Sequence, residues 1–305
     1  MSKGASVKTQ ARILMVEPRY FDVSYRINPW MQPDAWARDP DGCAAAANGA
    51  SRALRRALAR AGCEVVLRAG SPGLPDMVFP ANAAIVLDGR ALLARFRYPQ
   101  RQGEEAAFLE MFRALRDEGL LAEVAQLPGG CFQEGAGDAI WDANRQWFWA
   151  AYGPRSSRES LARIGEFFGK ETVAMELVSD RCYHLDVCFC PLAGGEILVF
   201  PPALTARALR NLHERVPADR LIVATEEDLA RFSVNAVSVG REIVMATPTE
   251  RLRAVLHERG YRVTPVDLAP FMMSGGGAYC MTLRLDRASL ADCAAPASAR
   301  EAATA

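Results

Sequence analysis

The sequence predicts an α/β fold built from five repeated units of strand, strand, helix and strand. Short apolar strands alternate with amphipathic helices along the chain, and a polar residue recurs at the start of an apolar strand. These polar residues are Asn82, Glu134, His184, Asn235 and Cys280, separated by 52, 50, 51 and 45 residues. A period near 50 residues indicates repeated supersecondary units. Five such units in a ring, as in a propeller, would bring the five polar residues to one central place.

The first half of the chain supplies clear strand and helix patterns. "RILMVEP" (12–18) predicts a first strand, and the long Ala-rich segment 42–62 predicts a helix that ends at a glycine. The segment 77–96 contains two strand patterns joined by the turn residues Asp88 and Gly89. Further patterns predict a strand at 63–70, an amphipathic helix at 104–119 and a strand at 121–127.

The second half continues the alternation. Helices are predicted at 157–169, 205–216 and 249–260, and strands by "EILVF", "RLIVA", "AVSVG", "REIVMA" and "YRVTPV". The segment "RCYHLDVCFCPL" (181–192) has the apolar and aromatic content of a strand. We expect residues 1–288 to form a single domain and residues 289–305 to form a disordered Ala-rich tail.

Composition narrows the classes of partner. The 305 residues are half apolar, and Lys+Arg and Asp+Glu are both 36, so the formal net charge is zero. This balance argues against nucleic acid or an anionic membrane, and it leaves a small molecule or a further subunit of a homo-oligomer. The amino terminus has no apolar signal-peptide core, and no run approaches the ~20 apolar residues of a membrane span. We expect a soluble, cytoplasmic protein.

The eight cysteines do not form a disulfide or zinc pattern. None belongs to a CxxC pair, and eight in 305 residues is below the density of disulfide-rich domains. A metal site built from Cys182, His184, Cys188 and Cys190 is disfavoured because these residues lack the usual spacing of structural zinc ligands. The sequence therefore predicts no metal.

The segment "MSGGGAYCMTLRL" (273–285) contains the strongest candidate nucleophile. Three glycines precede Cys280, and an apolar strand pattern follows it. A glycine run permits positive φ angles and close approach of a ligand to the backbone, so it can present a thiol. The alternative is that Cys280 is an ordinary apolar residue that begins a buried strand.

A candidate acid or base lies in "YHLDVCFC". His213 and His257 both lie in "LHER" within predicted helices, where a solvated face explains them. His184 and Asp186 are two apart, so in a strand they would share a face. The alternative is a core histidine hydrogen-bonded to its neighbour.

Three further polar residues could complete a site. Glu134 stands before Gly135 and Gly137, as a presented carboxylate or a turn residue would. Asp76 and Asn82 are six apart and would share a face in an extended run, although Pro80 interrupts strand pairing. Carboxylates around a thiol imply a cationic substrate, and a planar guanidinium matches fixed carboxylates through bidentate hydrogen bonds.

Seven segments together resemble one known superfamily. In chain order they are "INPWM", "PDMVFPANA", "RFRYPQRQGEE", "EGAGDAIWD", "YHLDVCFCPL", "VNAVSV" and "SGGGAYCMTL", between about residues 12 and 286. They resemble the guanidine-modifying superfamily of arginine deiminase, dimethylarginine dimethylaminohydrolase and the amidinotransferases, and most of all its arginine dihydrolase domain. The resemblance implies a five-bladed β/α propeller, which agrees with the 50-residue period, and a chemistry that needs no cofactor or metal.

The resemblance implies three catalytic roles. Cys280 would attack the guanidinium carbon and form a covalent thiouronium intermediate. His184 would protonate the leaving nitrogen and then activate the hydrolytic water. Glu134 would lie beside His184 and hold or shuttle charge. One departure from the family is Pro80, which stands where relatives usually have threonine.

The resemblance also implies a set of binding residues. Asp76 and Asp186 would hydrogen-bond the guanidinium, Arg101 and Arg155 would bind the substrate carboxylate, and Asn28 would contact the amino-acid end from a closing loop. Asn82 occupies a position at which deiminases usually carry aspartate.

Asn82 decides the predicted reaction. An asparagine removes a negative charge and adds an amide donor, so a neutral ureido product is penalised less as a ligand. Among relatives, asparagine accompanies a second attack that converts arginine to ornithine, two ammonia and carbon dioxide. The sequence therefore predicts an arginine dihydrolase, with arginine deiminase, dimethylarginine hydrolase and, less favoured, amidinotransferase as alternatives. A non-catalytic arginine-binding protein is disfavoured by the intact set of thiol, imidazole and carboxylate.

Overall fold

A computed structural model describes residues 10–290 of the chain. Within these residues the strands form five separate three-stranded sheets. Every sheet has the same plan: the first strand pairs antiparallel with the middle strand, and the middle strand pairs parallel with the third. The plan confirms the prediction of an α/β fold with five repeated units.

Four of the sheets follow the chain in order, and their strands are β3–β5 (Ala84–Leu87, Arg90–Leu93, Glu123–Gln126), β6–β8 (Ala139–Asp142, Trp147–Tyr152, Thr172–Glu176), β9–β11 (Phe189–Pro191, Ile197–Val199, Leu221–Val223) and β12–β14 (Val237–Val239, Glu242–Ala246, Arg262–Val266). In each sheet a helix connects the middle strand to the third. A helix is needed there because parallel neighbours require a crossover connection.

The fifth sheet joins the two ends of the described chain. Its strands are β15 (Leu283–Arg284), β1 (Ala11–Val16) and β2 (Cys63–Arg68), in the order β15-β1-β2. The strand after Cys280 therefore uses the amino-terminal strand as its middle partner. This arrangement closes the series of units, because the last unit is completed by the first elements of the sequence.

The described part of the chain contains nine α-helices: α1–α9 are Pro33–Trp36, Pro40–Arg60, Pro99–Gln102, Glu104–Asp117, Ser160–Phe168, Ala206–Arg215, Glu226–Ala230, Glu250–Glu258 and Ala269–Met272. The five longer ones confirm the five predicted helices. Thr205 and Thr249 cap α6 and α8 by accepting a backbone N–H with their hydroxyl oxygens. None of the helices in residues 10–290 is long and apolar enough to cross a membrane.

The first strand of each unit begins later than predicted. The residues before β3 form 3-10 turns at Pro75–Val78 and Pro80–Asn82, each with proline in its first position. The expectation that Asp76 and Asn82 share one face of an extended run is therefore wrong. A proline fixes φ near −65° and suits the start of a turn.

The same error affects "YHLDVCFC". Leu185–Val187 forms a 3-10 turn, and the strand begins only at Phe189. His184 and Asp186 therefore do not lie on one face of a strand. The turn forms because Val187 N–H donates to His184 O and Leu185 N–H donates to the carboxylate of Asp138.

The carboxyl-terminal boundary is partly described. Ser289 donates hydrogen bonds to Asp88 from its N–H and its hydroxyl, and Leu290 N–H donates to Gln146. Within the predicted tail, these two residues thus contact the turns after β3 and β6. Residues 291–305 of that tail lie outside the described residues.

Candidate active site

The five polar residues that begin the repeated units converge on one buried cluster. Asn82, Glu134, His184, Asn235 and Cys280 are each 3% exposed or less. Hydrogen bonds connect them in two groups, one around His184 and one around Cys280. The convergence confirms that the strand starts of the five units meet, as the sequence predicted from the 50-residue period.

Cys280 is held by two side chains. Its thiol donates to Oδ2 of Asp186 at 3.2 Å, and Nδ2 of Asn235 donates to its sulfur at 3.1 Å. The Oδ1 atom of Asn235 accepts the backbone N–H groups of both Tyr279 and Cys280. One asparagine therefore fixes the backbone and the sulfur of Cys280 together.

The environment of Cys280 favours the protonated thiol in the ligand-free protein. Burial raises the pKa of Cys280 well above its ordinary value, and the nearby Asp186 carboxylate raises it further. Burial also raises the pKa of Asp186 to about 7, although its hydrogen bonds with Cys280 and Asn235 oppose the rise. A cation bound beside Asp186 would reverse the effect on the thiol, because opposite charge stabilises a thiolate.

His184 pairs with the carboxylate of Glu134. Its Nε2 lies 2.7 Å from Oε2 of Glu134, and the same oxygen accepts from Nη1 of Arg155 at 2.9 Å. Burial alone would raise the pKa of Glu134, but Arg155 and His184 outweigh it and hold that pKa below its usual range. The contact with this carboxylate fixes the orientation of the imidazole, so His184 is positioned to exchange a proton with a ligand.

Asn82 lies between Arg101 and His184. Its Oδ1 accepts from Nη1 of Arg101 at 2.8 Å, and its Nδ2 lies 3.5 Å from both Nδ1 of His184 and the carbonyl oxygen of Glu134. The Arg101 bond fixes the orientation of the amide, so the NH2 group of Asn82 faces His184.

The two arginines that the resemblance assigns to the substrate carboxylate are already engaged. Arg101 forms a two-point ion pair with Glu104, at 2.9 and 2.8 Å, besides its bond to Asn82. Arg155 binds Glu134 and the carbonyl oxygen of Ile27. In this structure both guanidinium groups therefore organise the site itself, and their contact with a substrate stays a prediction.

Asp76 and Asn28 lie near the loop that leads to Cys280. Asp76 accepts from the hydroxyl groups of Tyr25 and Ser274 at 2.8 and 3.1 Å. Asn28 donates to the carbonyl oxygen of Ser274 at 3.1 Å. The segment that contains Asn28 thus contacts the glycine loop, and its closure over a substrate stays a prediction.

The glycines before Cys280 make room for protein atoms. A Cβ on Gly276 would lie 2.1 Å from the ring of Phe79, and one on Gly277 would lie 2.7 Å from Oδ1 of Asn235. Gly275 has φ +87°, a conformation that glycine adopts most easily. In the structure the run lets the loop pack against Phe79 and Asn235, and close approach of a ligand to the loop stays a prediction.

The sequence patterns give no role to several residues of the site. Asn235 stands at a repeat position, and that position is the signal that could identify it. Asp138 accepts from the hydroxyl of Ser156 and the N–H of Leu185, while Ser156 accepts from the N–H of Glu134. This network holds the two backbone segments that carry Glu134 and His184. Its serine lies outside the repeat, so spacing gave no signal for it.

A comparison with protein-family models gives a match over residues 18–287 to the model described as N,N dimethylarginine dimethylhydrolase, eukaryotic. The match covers most of the chain and includes all the site residues above. The chain belongs to this family. Membership of the dimethylarginine dimethylhydrolase family confirms the resemblance to the guanidine-modifying superfamily, and the family name is that of a hydrolase, in agreement with the predicted enzyme class.

Two relatives carry the names of two different activities. The chain is 38% identical over 282 residues to the bifunctional arginine dihydrolase/ornithine cyclodeaminase ArgZ of Synechocystis, covering 92% of the chain and 38% of ArgZ. It is 31% identical over 274 residues to the N(G),N(G)-dimethylarginine dimethylaminohydrolase of Mycobacterium tuberculosis, covering 90% of the chain and 85% of that enzyme. The chain thus spans about two fifths of the length of the bifunctional relative.

A solved structure shows the same fold. The crystal structure of the N-terminal domain of ArgZ, a cysteine-to-serine variant bound to substrate, matches with a TM-score of 0.83 and 36% identity. The match covers 92% of this chain and 100% of that domain. The chain therefore has the same fold as the N-terminal domain of ArgZ, which is described as an arginine dihydrolase.

Proposed function

We propose that the protein is a cysteine-dependent hydrolase that cleaves guanidinium C–N bonds of free L-arginine, and that it acts as an arginine dihydrolase. The observation that carries the proposal is the amide of Asn82, oriented by Arg101 so that its NH2 group faces His184. An aspartate would place a negative charge there. The amide can instead donate to the oxygen of a ureido group.

The first hydrolysis uses the thiol of Cys280 and the imidazole of His184. The guanidinium binds against Asp186, whose charge then no longer opposes ionisation, and the Cys280 thiol releases its proton to solvent. The thiolate sulfur bonds to the guanidinium carbon, and His184 protonates the leaving nitrogen as the C–N bond breaks and ammonia departs. Water then bonds to the thiouronium carbon, His184 accepts a proton from it, and the C–S bond breaks to give citrulline.

The second hydrolysis repeats the attack on the ureido carbon of bound citrulline. It consumes another water and releases another ammonia, and the remaining carbamate loses carbon dioxide to give ornithine. The sum is arginine and two waters converted to ornithine, two ammonia and carbon dioxide. If the product left after the first round, the enzyme would be an arginine deiminase.

The charges around His184 support this assignment of roles. Glu134 contacts both Arg155 and His184, so the imidazole keeps one orientation while the C–N bond breaks. The proposed catalytic residues are Cys280, His184 and Glu134. The proposed binding residues are Asn28, Asp76, Asn82, Arg101, Arg155 and Asp186.

We also infer that the five sheets are arranged as a propeller. The five sheets carry their site residues in the segments that lead into β3, β6, β9, β12 and β15, and these segments meet. Five similar units whose corresponding ends meet at one place are arranged as the blades of a propeller, with the site on the central axis. Because β15 pairs with β1, we treat residues 1–288 as one catalytic domain.

A second candidate function is hydrolysis of dimethylarginine to citrulline and dimethylamine. The family match and the mycobacterial relative favour it, since both carry the name of that activity. The same nucleophile and acid would perform the chemistry, and the two functions differ in the leaving group.

Product identification separates the candidates. Purified protein is incubated separately with arginine, asymmetric dimethylarginine and citrulline, and the products are identified by mass, with Cys280→Ser as the inactive control. Ornithine and ammonia from arginine support the dihydrolase, and citrulline as the final product of arginine indicates a deiminase. Citrulline and dimethylamine from the methylated substrate, with arginine untouched, would contradict the lead proposal.

A further inference from the structure

One oxygen of the Asp186 carboxylate is buried without a partner. Oδ2 accepts from the thiol of Cys280, whereas Oδ1 has no hydrogen-bond partner within residues 10–290. The residue is 1% exposed. Leaving a buried acceptor unsatisfied costs about 1–3 kcal/mol, and more when the group is charged. A partner that is not a protein side chain is therefore expected at this atom.

A small cavity lies beside Asp186. We call it the inner cavity; it measures about 20 Å³, and its polar lining includes Asp186, Cys190, Ser238, Tyr279 and Arg287. A space of roughly 10–15 Å³ is enough for one water molecule if polar partners surround it. The inner cavity therefore has the size and the chemistry for a single ordered water.

The inner cavity adjoins a larger one at the far ends of the first strands. This outer cavity, of about 300 Å³, shares Pro191, Ser238 and Arg287 with the inner cavity. The strand β9 leads from the turn after His184 to Pro191, which lines the outer cavity. The outer cavity therefore lies at the end of the strands that is opposite to the candidate active site.

We propose that a water molecule occupies the inner cavity, donates a hydrogen bond to Oδ1 of Asp186 and exchanges with solvent through the outer cavity. Asp186 is then hydrated from the end of the molecule opposite the substrate. Cys190 and the other residues of the inner cavity act as positioning residues, because they act on the reaction through the water and Asp186. Only the link to guanidinium binding rests on the proposed function.

The water would hold Asp186 in its charged form. Burial raises the pKa of Asp186 to about 7, and a hydrogen bond donated to the carboxylate opposes that rise. The titratable thiols and phenols around Asp186 are Tyr183, Cys188, Cys190, Tyr279 and Cys280, and burial raises the pKa of each of them. The buried Arg287 also lines the inner cavity, and burial lowers its pKa. The thiols and phenols stay neutral near pH 7 and an arginine keeps its charge there, so a change in hydration acts on Asp186 itself.

Filling the inner cavity tests the proposal. Cys190→Leu adds apolar volume at its wall, and Cys63→Leu is the matched control because Cys63 is also a buried strand cysteine but lines neither cavity. In Cys190→Leu, we expect the acid limb of the kcat/KM profile to move up by about one pH unit, a tenfold change in the acid constant. The control should keep the wild-type limb. An unmoved limb in a folded Cys190→Leu protein overturns the proposal.

Two further measurements keep the test decisive. If Cys190→Leu fails to fold, the smaller Cys190→Val change is used with the same expected direction. A crystal structure of the wild-type protein should show a water at a hydrogen-bond distance of about 2.6–3.2 Å from Oδ1 of Asp186. An empty inner cavity overturns the proposal whatever the activity. A filled cavity in a protein that does not hydrolyse arginine would contradict the proposed function and leave the water site standing.

Discussion

The thiol of Cys280 donates a hydrogen bond of 3.2 Å to Oδ2 of Asp186, so the candidate nucleophile rests against a carboxylate. Burial raises the pKa of the thiol, and this carboxylate raises it further. A bound guanidinium would pair with Asp186 and bring positive charge to the sulfur. The thiolate would then form when substrate is present, which protects an otherwise reactive cysteine from oxidation and alkylation.

Cationic reagents should therefore label Cys280 selectively. We expect a haloacetamidine, which carries an amidinium, to modify Cys280 at least tenfold faster than the neutral haloacetamide, because the cation pairs with Asp186 as the substrate would. The half-buried Cys43 is the internal reference for the intrinsic reactivity of each reagent. Peptide mass mapping gives both rates. If the ratio of the two rates is the same at Cys280 and Cys43, or if several thiols are labelled equally, the role of Asp186 is contradicted.

Asp186 should limit activity at low pH and stability at high pH. Its folded pKa of about 7 lies above the value of about 3.9 for an unfolded aspartate. Protonation below pH 7 removes the guanidinium partner, so kcat/KM should fall about tenfold per pH unit there. The carboxyl binds its proton more tightly in the folded state, so its contribution to stability is present below about pH 4 and is lost as pH rises through 7.

Asp186→Asn tests both statements. At pH 8 the variant should unfold at a higher temperature than the wild type, and the difference should vanish towards pH 4. Its kcat/KM should fall at least 100-fold, about 2.7 kcal/mol, because the ionic partner of the substrate is lost. The exposed Asp34→Asn is the control and should change neither quantity. A variant with wild-type stability at pH 8 would show that Asp186 carries no buried charge.

Much of the fold was predictable, because it follows from periodic patterns. The helix at 42–62 and the hairpin around Asp88 and Gly89 have strong local signals, and both turn residues adopt positive φ as that turn requires. The convergence of Glu134 and His184 was predictable from spacing alone. Each of these features depends on short-range pattern or on repetition, which a single sequence displays.

The local geometry of the site was not predictable in the same way. The residues around Asp186 have the composition of a strand, but tertiary hydrogen bonds such as that from Leu185 N–H to Asp138 hold them in a turn. The ion pair between Arg101 and Glu104 likewise depends on burial that the sequence does not display. Composition identified the chemical groups, and long-range contacts decided their orientation.

Asn235 should matter as much as the residues assigned from the resemblance. Asn235→Ala would leave the N–H of Cys280 without its acceptor and leave the N–H of Tyr279 with only its 3.4 Å bond to Asn235 O, at a cost of about 1–3 kcal/mol in stability. Activity should fall 10- to 100-fold as the sulfur loses its fixed position. Asn211→Ala is the control, because Asn211 donates one hydrogen bond to Ala174 O outside the site. Thermal unfolding and kcat/KM measure the two effects, and equal losses in both variants would contradict the prediction.

The glycine loop gives a matched pair of substitutions. In Gly277→Ala the new Cβ would lie 2.7 Å from Oδ1 of Asn235, so the loop must shift and kcat should fall at least tenfold. In Gly49→Ala the new Cβ meets no atom within 4 Å in the middle of α2, and the helix should gain about 0.5–1 kcal/mol. Chemical denaturation and steady-state kinetics distinguish the two. A Gly277→Ala enzyme with wild-type kcat would show that the sulfur position tolerates movement of the loop.

Asn82→Asp should change the product of the reaction. The new carboxylate would pair with Arg101 and face the guanidinium, so hydrolysis of arginine should persist within about tenfold. A neutral ureido group would lose the amide donor and face a negative charge, so citrulline should accumulate in place of ornithine. Hydrolysis of added citrulline should fall at least 100-fold, about 2.7 kcal/mol. Mass spectrometric ratios of ornithine to citrulline measure the change, and Asn211→Asp controls for an added negative charge outside the site. An Asn82→Asp enzyme that still releases ornithine at the wild-type ratio would show that Asn82 does not decide the second hydrolysis.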